Sequence, residues 1–223
     1  MISGQDLKSF SIFSGLSDTL LDLLAGVAVR KRLAADVAVF VKGETPNGFA
    51  LLVSGQVKVY CESLGGSHQV LSFFEPGDSF AEAALFMEGY PATARTMVKS
   101  EILWIPKLGF QSLLVENPEL TLSLVITLAS RQRKLVGMVE DLTLRDARGR
   151  LCHYLSRLLS QEKGDKGIQI PVSQAALAQL LGVTEETLSR TIKSLRKDGI
   201  ISSASKGHFG IEDVSALERA YAI

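Results

Sequence analysis

The stretch GVTEETLSRTIKSLRKDGII, Gly182 to Ile201, predicts the fold of the C-terminal part of the chain. Thr184 is a natural helix N-cap, because its hydroxyl can accept a hydrogen bond from a backbone N–H of the first turn. Leu188, Ile192 and Leu195 then recur at the spacing of one helical face. The opposite face is polar, so the stretch predicts a short helix that buries one side and exposes the other.

The segments on either side of this helix complete a winged helix-turn-helix. Before it, SQAALAQLLG supplies a helix that begins at the N-cap Ser173, carries the small Ala178 where two helices would cross, and ends at Gly182. After it, IISSASKGHFGIED contains two short β-prone runs around the turn 205–207. We therefore expect two capped helices, a glycine turn between them, and a β-hairpin wing.

The first turns of the second helix carry a compact polar patch, because Glu186, Ser189 and Arg190 are three and four residues apart. Arginine can donate twice to guanine, glutamate can accept from cytosine, and serine can contact either kind of base edge. Nearby lysines would neutralise phosphates without reading sequence. The alternative is an ordinary surface ion pair between Glu186 and Arg190 on a helical hairpin. The candidate DNA contacts are Ser173, Thr184, Glu186, Ser189, Arg190, Lys193, Lys197 and Lys206.

The region from about Val27 to Pro106 has the pattern of a β-domain. Short alternating or β-branched runs such as GFALLVSG and EILWIP are separated by turn signals about every ten residues, among them Gly43 and Gly55. This spacing predicts a small β-sandwich or jelly roll. A short amphipathic helix, capped by Ser17, should precede it.

The segment from Pro118 to Leu144 changes to a helical period. Apolar residues follow the 3-4-3-4 spacing of a coiled coil, and a helix of this length is about 40 Å long. Such a helix needs a partner, and a second copy of the chain is the simplest one, so we expect a homodimer. The predicted interface residues are Leu124, Leu128, Leu135, Met138 and Leu142.

An alternative for this helix is that it packs on its own β-domain, because it carries a second apolar stripe. That stripe consists of Val125, Ile126, Ala129, Val136 and Val139.

Composition is that of an ordinary globular protein: 223 residues, 46% apolar and 22% charged. The two cysteines, Cys61 and Cys152, are far apart and indicate unpaired thiols in a reducing cytosol. The sequence has neither a basic leader followed by an apolar run, as in a signal peptide, nor an apolar run long enough to span a membrane. We therefore expect a soluble, cytoplasmic protein without a membrane partner. Residues 145–223 carry 12 basic and 9 acidic residues, whereas residues 1–144 carry 12 and 15.

The order of β-roll, long helix and winged helix-turn-helix with EETLSR resembles the Crp/Fnr family of bacterial transcription regulators over nearly the whole chain. Further matching segments are FSGLSDTLLDLLA, VFVKGETPNGFALLVSGQVKVY and FEPGDSFAEAALF. The resemblance implies an α+β protein with a cyclic-nucleotide-binding-like roll (1–116), a dimerisation helix (117–144) and a DNA-binding domain (145–223). It also implies double-stranded DNA and RNA polymerase as partners.

The same resemblance suggests which bases are read. Glu186, Ser189 and Arg190 occupy the E-x-x-S-R positions with which Fnr-like members contact half-sites of TTGA type. The preceding position is commonly arginine in the family but is Glu185 here, which leaves the outer bases of the half-site open.

The sequence says less about which effector the roll binds than about which bases are contacted. In cyclic-nucleotide-binding members a glutamate contacts the ribose and an Arg-Ser/Thr pair contacts the phosphate; here Glu82 is kept, but Ala92-Thr93 replaces that pair. A buried phosphate without its arginine would be poorly compensated, so cyclic AMP is disfavoured, although Arg95 is nearby. Glu82 could instead have a capping or packing role, and another small-molecule effector remains open.

The number and placement of cysteines and histidines argue against two classes of metal-dependent protein. Two isolated cysteines cannot supply the four thiolates of an iron–sulfur cluster. His68, His153 and His208 fall in a hairpin, a helix and the wing, so a cupin-type enzyme lacks converging ligands. We expect no enzymatic activity and assign no metal from the sequence.

The segment SFAEAALFMEGYPATA looks most like the Dnr and HcpR branches of the family, which are thought to sense nitric oxide through haem. That resemblance implies a haem pocket between roll and long helix, with His68, His153, Cys61 or a methionine as axial ligand. The candidate pocket residues, for haem or another effector, are Phe80, Glu82, Leu85, Phe86, Met87, Thr93, Leu122 and Ile126.

Overall fold

Two four-stranded antiparallel sheets form the centre of the N-terminal unit, Met1–Arg133. The computed structural model describes residues 2–63, 65–161, 167–205 and 208–222. The strands of this unit are β1 (Val29–Leu33), β2 (Ala38–Phe40), β3 (Gly48–Ser54), β4 (Val57–Glu62), β5 (His68–Phe74), β6 (Ser79–Phe80), β7 (Thr93–Thr96) and β8 (Ser100–Pro106). The first sheet has the order β1-β8-β3-β6 and the second β2-β7-β4-β5, so the predicted β-roll is confirmed.

The central strands β3 and β8 have apolar side chains on both faces, and each face enters a different core. Phe49 and Leu51 face a core that helices cover, whereas Ala50 and Leu52 face a core between the two sheets. Alternation along the strand produces this division, since successive side chains point to opposite faces. The helices of this unit are α1 (Gly4–Leu7), α2 (Asp18–Val27) and α3 (Lys107–Glu116), with a 3-10 turn at Glu82–Phe86.

Helix α2 has the predicted cap, because the Ser17 side chain accepts a hydrogen bond from the Leu20 N–H. Helix α3 was not predicted from the sequence. It packs Phe110 against Phe49 in an edge-to-face contact with ring centres 4.8 Å apart, which closes the helix-covered core.

The long helix α4, Pro118–Leu144, is confirmed. One of its stripes packs on the roll: Leu124 is only 4% exposed and belongs to the helix-covered core, and Leu128 packs against that core. Within the single chain the roll therefore covers Leu124 and part of Leu128, and their role in a dimer interface stays a prediction. Leu135, Met138 and Leu142 do not enter this core, and their role in an interface stays a prediction.

The second stripe of α4 is the one that the single chain leaves uncovered. Its large side chains are between 53% and 62% exposed, and Ala129 is exposed between them. We call the second stripe, with the neighbouring exposed Leu122 added to it, the exposed stripe. It consists of Leu122, Val125, Ile126, Ala129, Val136 and Val139.

The C-terminal unit, Lys134–Ile223, contains the predicted winged helix-turn-helix. A three-stranded sheet of order β10-β11-β9 accompanies the helices, and β9 was not predicted. The first helix of this unit begins at Ala147. The elements are α5 (Ala147–Gln161), β9 (Gly167–Gln169), α6 (Gln174–Leu181), α7 (Glu185–Lys197), β10 (Ile201–Ser205), β11 (His208–Ile211) and α8 (Val214–Arg219).

Among the described residues, no single helix is both long and apolar enough to cross a membrane. Helices α3 and α4 reach the necessary length and composition only together, and the chain bends by 116° between them.

Candidate nucleic-acid interface and effector site

The start of α7 is held in place by its caps and its buried face. Gly182 ends α6 with φ +63°, a left-handed conformation that glycine adopts without steric cost. The Thr184 side chain then accepts a hydrogen bond from the Thr187 N–H at 3.2 Å. Leu188 and Leu195 are buried on the inner face, so the first turn of α7 has a defined position in its unit.

The three predicted base-reading side chains lie together on the outer face of this turn. Glu186 and Arg190 are 80% and 71% exposed, and Ser189 is half-buried beside them. The Arg190 guanidinium is 4.0 Å from the Glu186 carboxylate and 3.4 Å from the Thr187 hydroxyl. The predicted alternative, an i,i+4 ion pair, is thus present, but an exposed pair of this length contributes little and can exchange for a base.

The other candidate contacts lie around the same face. Ser173 is the N-cap of α6, and its hydroxyl accepts from the Ala176 N–H at 3.2 Å. Lys193 and Lys197 are exposed on α7 and have no ion-pair partner in the part of the chain that the structure describes. Lys206 lies outside the described residues.

Two arginines of α5 that sequence reasoning missed hold α6 and α7 in place. Arg148 bonds Asp198 at 2.6 Å and the Ser194 hydroxyl at 2.9 Å, which ties α5 to the end of α7. Arg150 donates to the Leu181 carbonyl at 2.9 Å, at the C-terminus of α6. The only sequence signal was the arginine-rich segment RDARGR, which has no helical period of its own.

The predicted effector residues do not form one enclosed pocket in the single chain. Phe80 lies in the core between the sheets and Leu85 in the helix-covered core, both fully buried. Thr93 is half-buried and its hydroxyl accepts from the Lys42 N–H at 3.1 Å. Both cores are closed by packing, which periodicity could not show. The remaining apolar members are all exposed: Phe86, Met87, Leu122 and Ile126.

Glu82, the eighth member of that set, is engaged by a residue that was not predicted as a partner. It is 1% exposed, accepts a hydrogen bond from the Ser79 hydroxyl, and lies 3.0 Å from an Arg131 guanidinium nitrogen. The same nitrogen donates to the Ser79 carbonyl, and the guanidinium carbon is 5.0 Å from the Phe74 ring centre. Helix α4 is thereby bonded to the roll by an ion pair between a partly exposed arginine and a buried carboxylate.

The candidate haem ligands have other partners. His68 lies 4.2 Å from the Tyr60 ring centre, and the His153 imidazole is 2.7 Å from the Asp141 carboxylate. Cys61 is half-buried in β4. Over residues 2–63, 65–161, 167–205 and 208–222, no three His, Cys, Asp or Glu side chains form a group that could hold a metal ion.

Cys152 is a buried thiol in the core of the C-terminal unit. Burial raises the pKa of this thiol to about 11, with a smaller opposing effect from Arg148. Cys152 is therefore a packing residue of that core, and its thiol is unpaired, as the sequence predicted.

Comparison with known proteins matches both units. A Crp-like helix-turn-helix domain matches residues 149–220, and a cyclic nucleotide-binding domain matches residues 30–117. The cyclic AMP receptor protein of Thermus thermophilus is 27% identical over 213 residues, which are 95% of this chain and 97% of the relative.

Two further proteins give the same result. The cAMP-activated global transcriptional regulator CRP of Pasteurella multocida is 30% identical over 169 residues, 74% of this chain and 81% of the relative. The solved structure of FixK2 from Bradyrhizobium japonicum superposes with a TM-score of 0.77 at 19% identity, over 88% of this chain and 98% of that one, which supports the fold alone.

Proposed function

The chain belongs to the Crp/Fnr family and is a DNA-binding transcription regulator of that type; from this premise we propose that it works as a homodimer that reads an inverted repeat. The observation that carries the proposal is the exposed, capped first turn of α7 with Glu186, Ser189 and Arg190 on one face. Its expected target is double-stranded DNA with TTGA-like half-sites.

The side chains divide into two roles. Arg190 is placed to donate to guanine O6 and N7, Glu186 to accept from a cytosine amino group, and Ser189 to contact a neighbouring base edge. Lys193 and Lys197 would contact phosphates, which raises affinity for every sequence and makes it salt-dependent.

The exposed stripe of α4 supplies the proposed dimer interface. Its side chains at positions 122, 125, 129, 136 and 139 keep the 3-4 spacing by which two helices pack side by side. A helix face that exposes five large apolar side chains to water is characteristic of an interaction surface. In a two-fold dimer the same row meets its copy, and two α7 helices could enter successive major grooves about 34 Å apart.

We propose that a small-molecule effector acts on the roll and biases how the two α4 helices pack, and so where the α7 helices lie. The relatives named for cyclic AMP make a cyclic nucleotide one candidate. Ala92 at the position of the phosphate-binding arginine speaks against it. The protein would act in the cytoplasm, where its DNA target and RNA polymerase are.

Nitric-oxide sensing through haem rests on the sequence resemblance, and the side chains described above do not support it. Absorption spectroscopy of protein purified with added haemin tests it directly. We expect no Soret band, whereas a Soret band that shifts with nitric oxide would reinstate haem as the cofactor.

The experiment that tests DNA binding itself is a titration with duplex DNA at several salt concentrations. A protein that neutralises phosphates loses affinity steeply as salt rises, because bound counterions are released from the duplex. The competing function is a sensor or interaction module whose C-terminal helices do not touch DNA. Absence of binding at low salt would favour that module.

A further inference from the structure

Helix α5 follows α4 after only two residues, Arg145 and Asp146. A link of this kind can act as a hinge, because a few residues at the end of an element absorb changes of backbone angle. The side chains that cross the link decide whether it bends. They all belong to the C-terminal unit, Lys134–Ile223, which includes the last turns of α4.

One carboxylate joins the two helices across this link. The Oδ1 atom of Asp141, in the last turn of α4, accepts a hydrogen bond from the Arg145 guanidinium at 2.5 Å. The same atom is 2.7 Å from Nδ1 of His153 in α5. Because an ionised carboxylate can only accept hydrogens, the proton between Asp141 and His153 must lie on Nδ1. Hydrogen bonds to a charged group are shorter and stronger than neutral ones, so this junction is well defined.

The C-terminal segment that follows α8 extends the same network. The Tyr221 carbonyl accepts a hydrogen bond from Nε of Arg145 at 3.0 Å, and the Tyr221 ring centre lies 5.1 Å from that of His153. The Tyr221 hydroxyl is 3.2 Å from the Ser156 hydroxyl of α5. We call this set the latch. It consists of Asp141, Arg145, His153, Ser156 and Tyr221.

Helix α5 also carries the two arginines that hold α6 and α7. Arg148 donates to the Asp198 carboxylate just after the end of α7. Arg150 donates to the Leu181 carbonyl at the end of α6. Directional contacts therefore run without a break from the last turn of α4, through α5, to both helices of the helix-turn-helix.

The charged groups of the latch lie at the edge of the C-terminal core rather than inside it. Leu151, Leu155 and Leu195 are at most 1% exposed in that core, whereas the Asp141 and His153 side chains are 22% and 26% exposed. Ion pairs that water can reach contribute little to the free energy of unfolding. The latch is therefore better explained by the geometry that its hydrogen bonds hold.

We propose that the latch locks the link between α4 and α5, so that the last turns of α4 and the helix-turn-helix move as one rigid piece, and that Asp141, Arg145 and His153 are positioning residues for binding to two half-sites. The inference rests on the proposed DNA-binding function. In the proposed dimer, one bound α7 presents the other copy to the second half-site at an effective concentration that the geometry of the link sets. A loose link lowers that concentration and widens the range of half-site spacings that the dimer accepts.

The test compares two duplexes bound by the full-length protein. One is the inverted repeat that the wild-type protein selects, and the other keeps only one of its half-sites. Fluorescence anisotropy measures the affinity for both. Damage to the recognition surface weakens binding to both duplexes, whereas a loosened link weakens binding to the repeat alone.

The variants remove the central contacts of the latch. Asp141→Ala removes the acceptor that Arg145 and His153 share, and His153→Ala removes the contact across the link. Each should weaken binding to the repeat roughly tenfold, the size of a typical coupling between sites, and leave binding to the single half-site unchanged. His153→Asn, whose amide nitrogen can take the place of Nδ1, should recover most of the affinity. Glu218→Ala is the charge-matched control, because it removes an exposed carboxylate of α8, and it should bind both duplexes like wild type.

Half-site spacing provides a second readout. An extra base pair between the half-sites should weaken binding of the wild-type protein more than binding of Asp141→Ala or His153→Ala, because a loosened link lets the second α7 reach a displaced groove. Thermal unfolding shows whether each variant is folded. If an alanine variant is not, Tyr221→Phe, which loses only the hydroxyl contact with Ser156, should show the same selective loss at a smaller size.

Two results would overturn the proposal. The first is a folded Asp141→Ala or His153→Ala variant with wild-type affinity for the repeat and wild-type spacing preference. The second is an equal loss on the repeat and on the single half-site, since the latch would then act only within one DNA-binding unit. Wild-type protein that selects no DNA sequence, with or without added cyclic AMP, would instead refute the proposed function, and the inference with it.

Discussion

Arg190 is the side chain best suited to test whether α7 contacts bases specifically or only attracts the phosphates by its charge. Its guanidinium is highly exposed and only loosely held by Glu186 and Thr187, so it can turn toward a guanine without losing a strong bond. Lys193 lies less than one turn further along the same helix and is exposed. The two residues therefore form a natural comparison.

We expect Arg190→Ala to cost about 1–3 kcal/mol per half-site and to relax the preference at one base pair, because a bidentate contact is lost. Lys193→Ala should weaken all sequences similarly and lower the salt slope by about one. Titrations of both variants with specific and random duplexes measure the two effects. Equal losses on both duplexes for Arg190→Ala would contradict its assignment.

Cys152 gives a prediction about pH. Burial raises the pKa of its thiol from an ordinary 9.0 to about 11 in the folded protein, so the folded state holds this proton more tightly than the unfolded state. The stabilisation is complete below pH 9 and is lost as pH rises from about 9 to 11, by up to about 3 kcal/mol.

Denaturant unfolding at a series of pH values measures this loss. Cys152→Ala, although less stable overall, should lack this part of the decline. A decline of the same size in Cys152→Ala would show that another group is responsible.

Among the secondary-structure elements, the sequence predicted those features that a few neighbouring residues determine. Strand alternation, glycine turns and the caps Ser17, Ser173 and Thr184 are properties of a few neighbouring residues, and the structure confirms each of them. Helix α3 and strand β9 were missed because one has a weak apolar period and the other spans three residues.

What the sequence could not decide was which surface each stripe of α4 meets. Periodicity shows two apolar stripes on this helix, but only the tertiary structure shows that Leu124 is covered by the roll and Val139 is not. The Arg131–Glu82 pair was missed for the same reason, since its members are distant in sequence.

This distinction between the stripes leads to a prediction on the dimer. Val139→Glu should raise the dissociation constant of the dimer, roughly tenfold or more, because a charge would have to be desolvated in an apolar interface. Leu124→Ala should instead lower the free energy of unfolding by about 2–5 kcal/mol and leave the dimer intact.

Sedimentation and denaturant unfolding distinguish the two variants. Leu108→Glu, at an even more exposed apolar residue of α3 outside the stripe, is the control and should sediment as a dimer. A dimer that persists in Val139→Glu but dissociates in Leu124→Ala would show that the interface is formed by the first predicted stripe, which contains Leu124.

The whole molecule combines a roll that matches a cyclic nucleotide-binding domain, a long helix with an exposed apolar stripe, and the capped helix α7 with an exposed polar face. The family membership fixes the class of function.

Sequencing of duplexes selected by the full-length protein from a random pool tests the central claim most directly. A dimer that presents two copies of α7 should enrich an inverted repeat with TTGA-like half-sites whose centres are about one helical turn apart. A single unrepeated half-site, or a pool that stays random while the protein is folded and dimeric, would contradict the account.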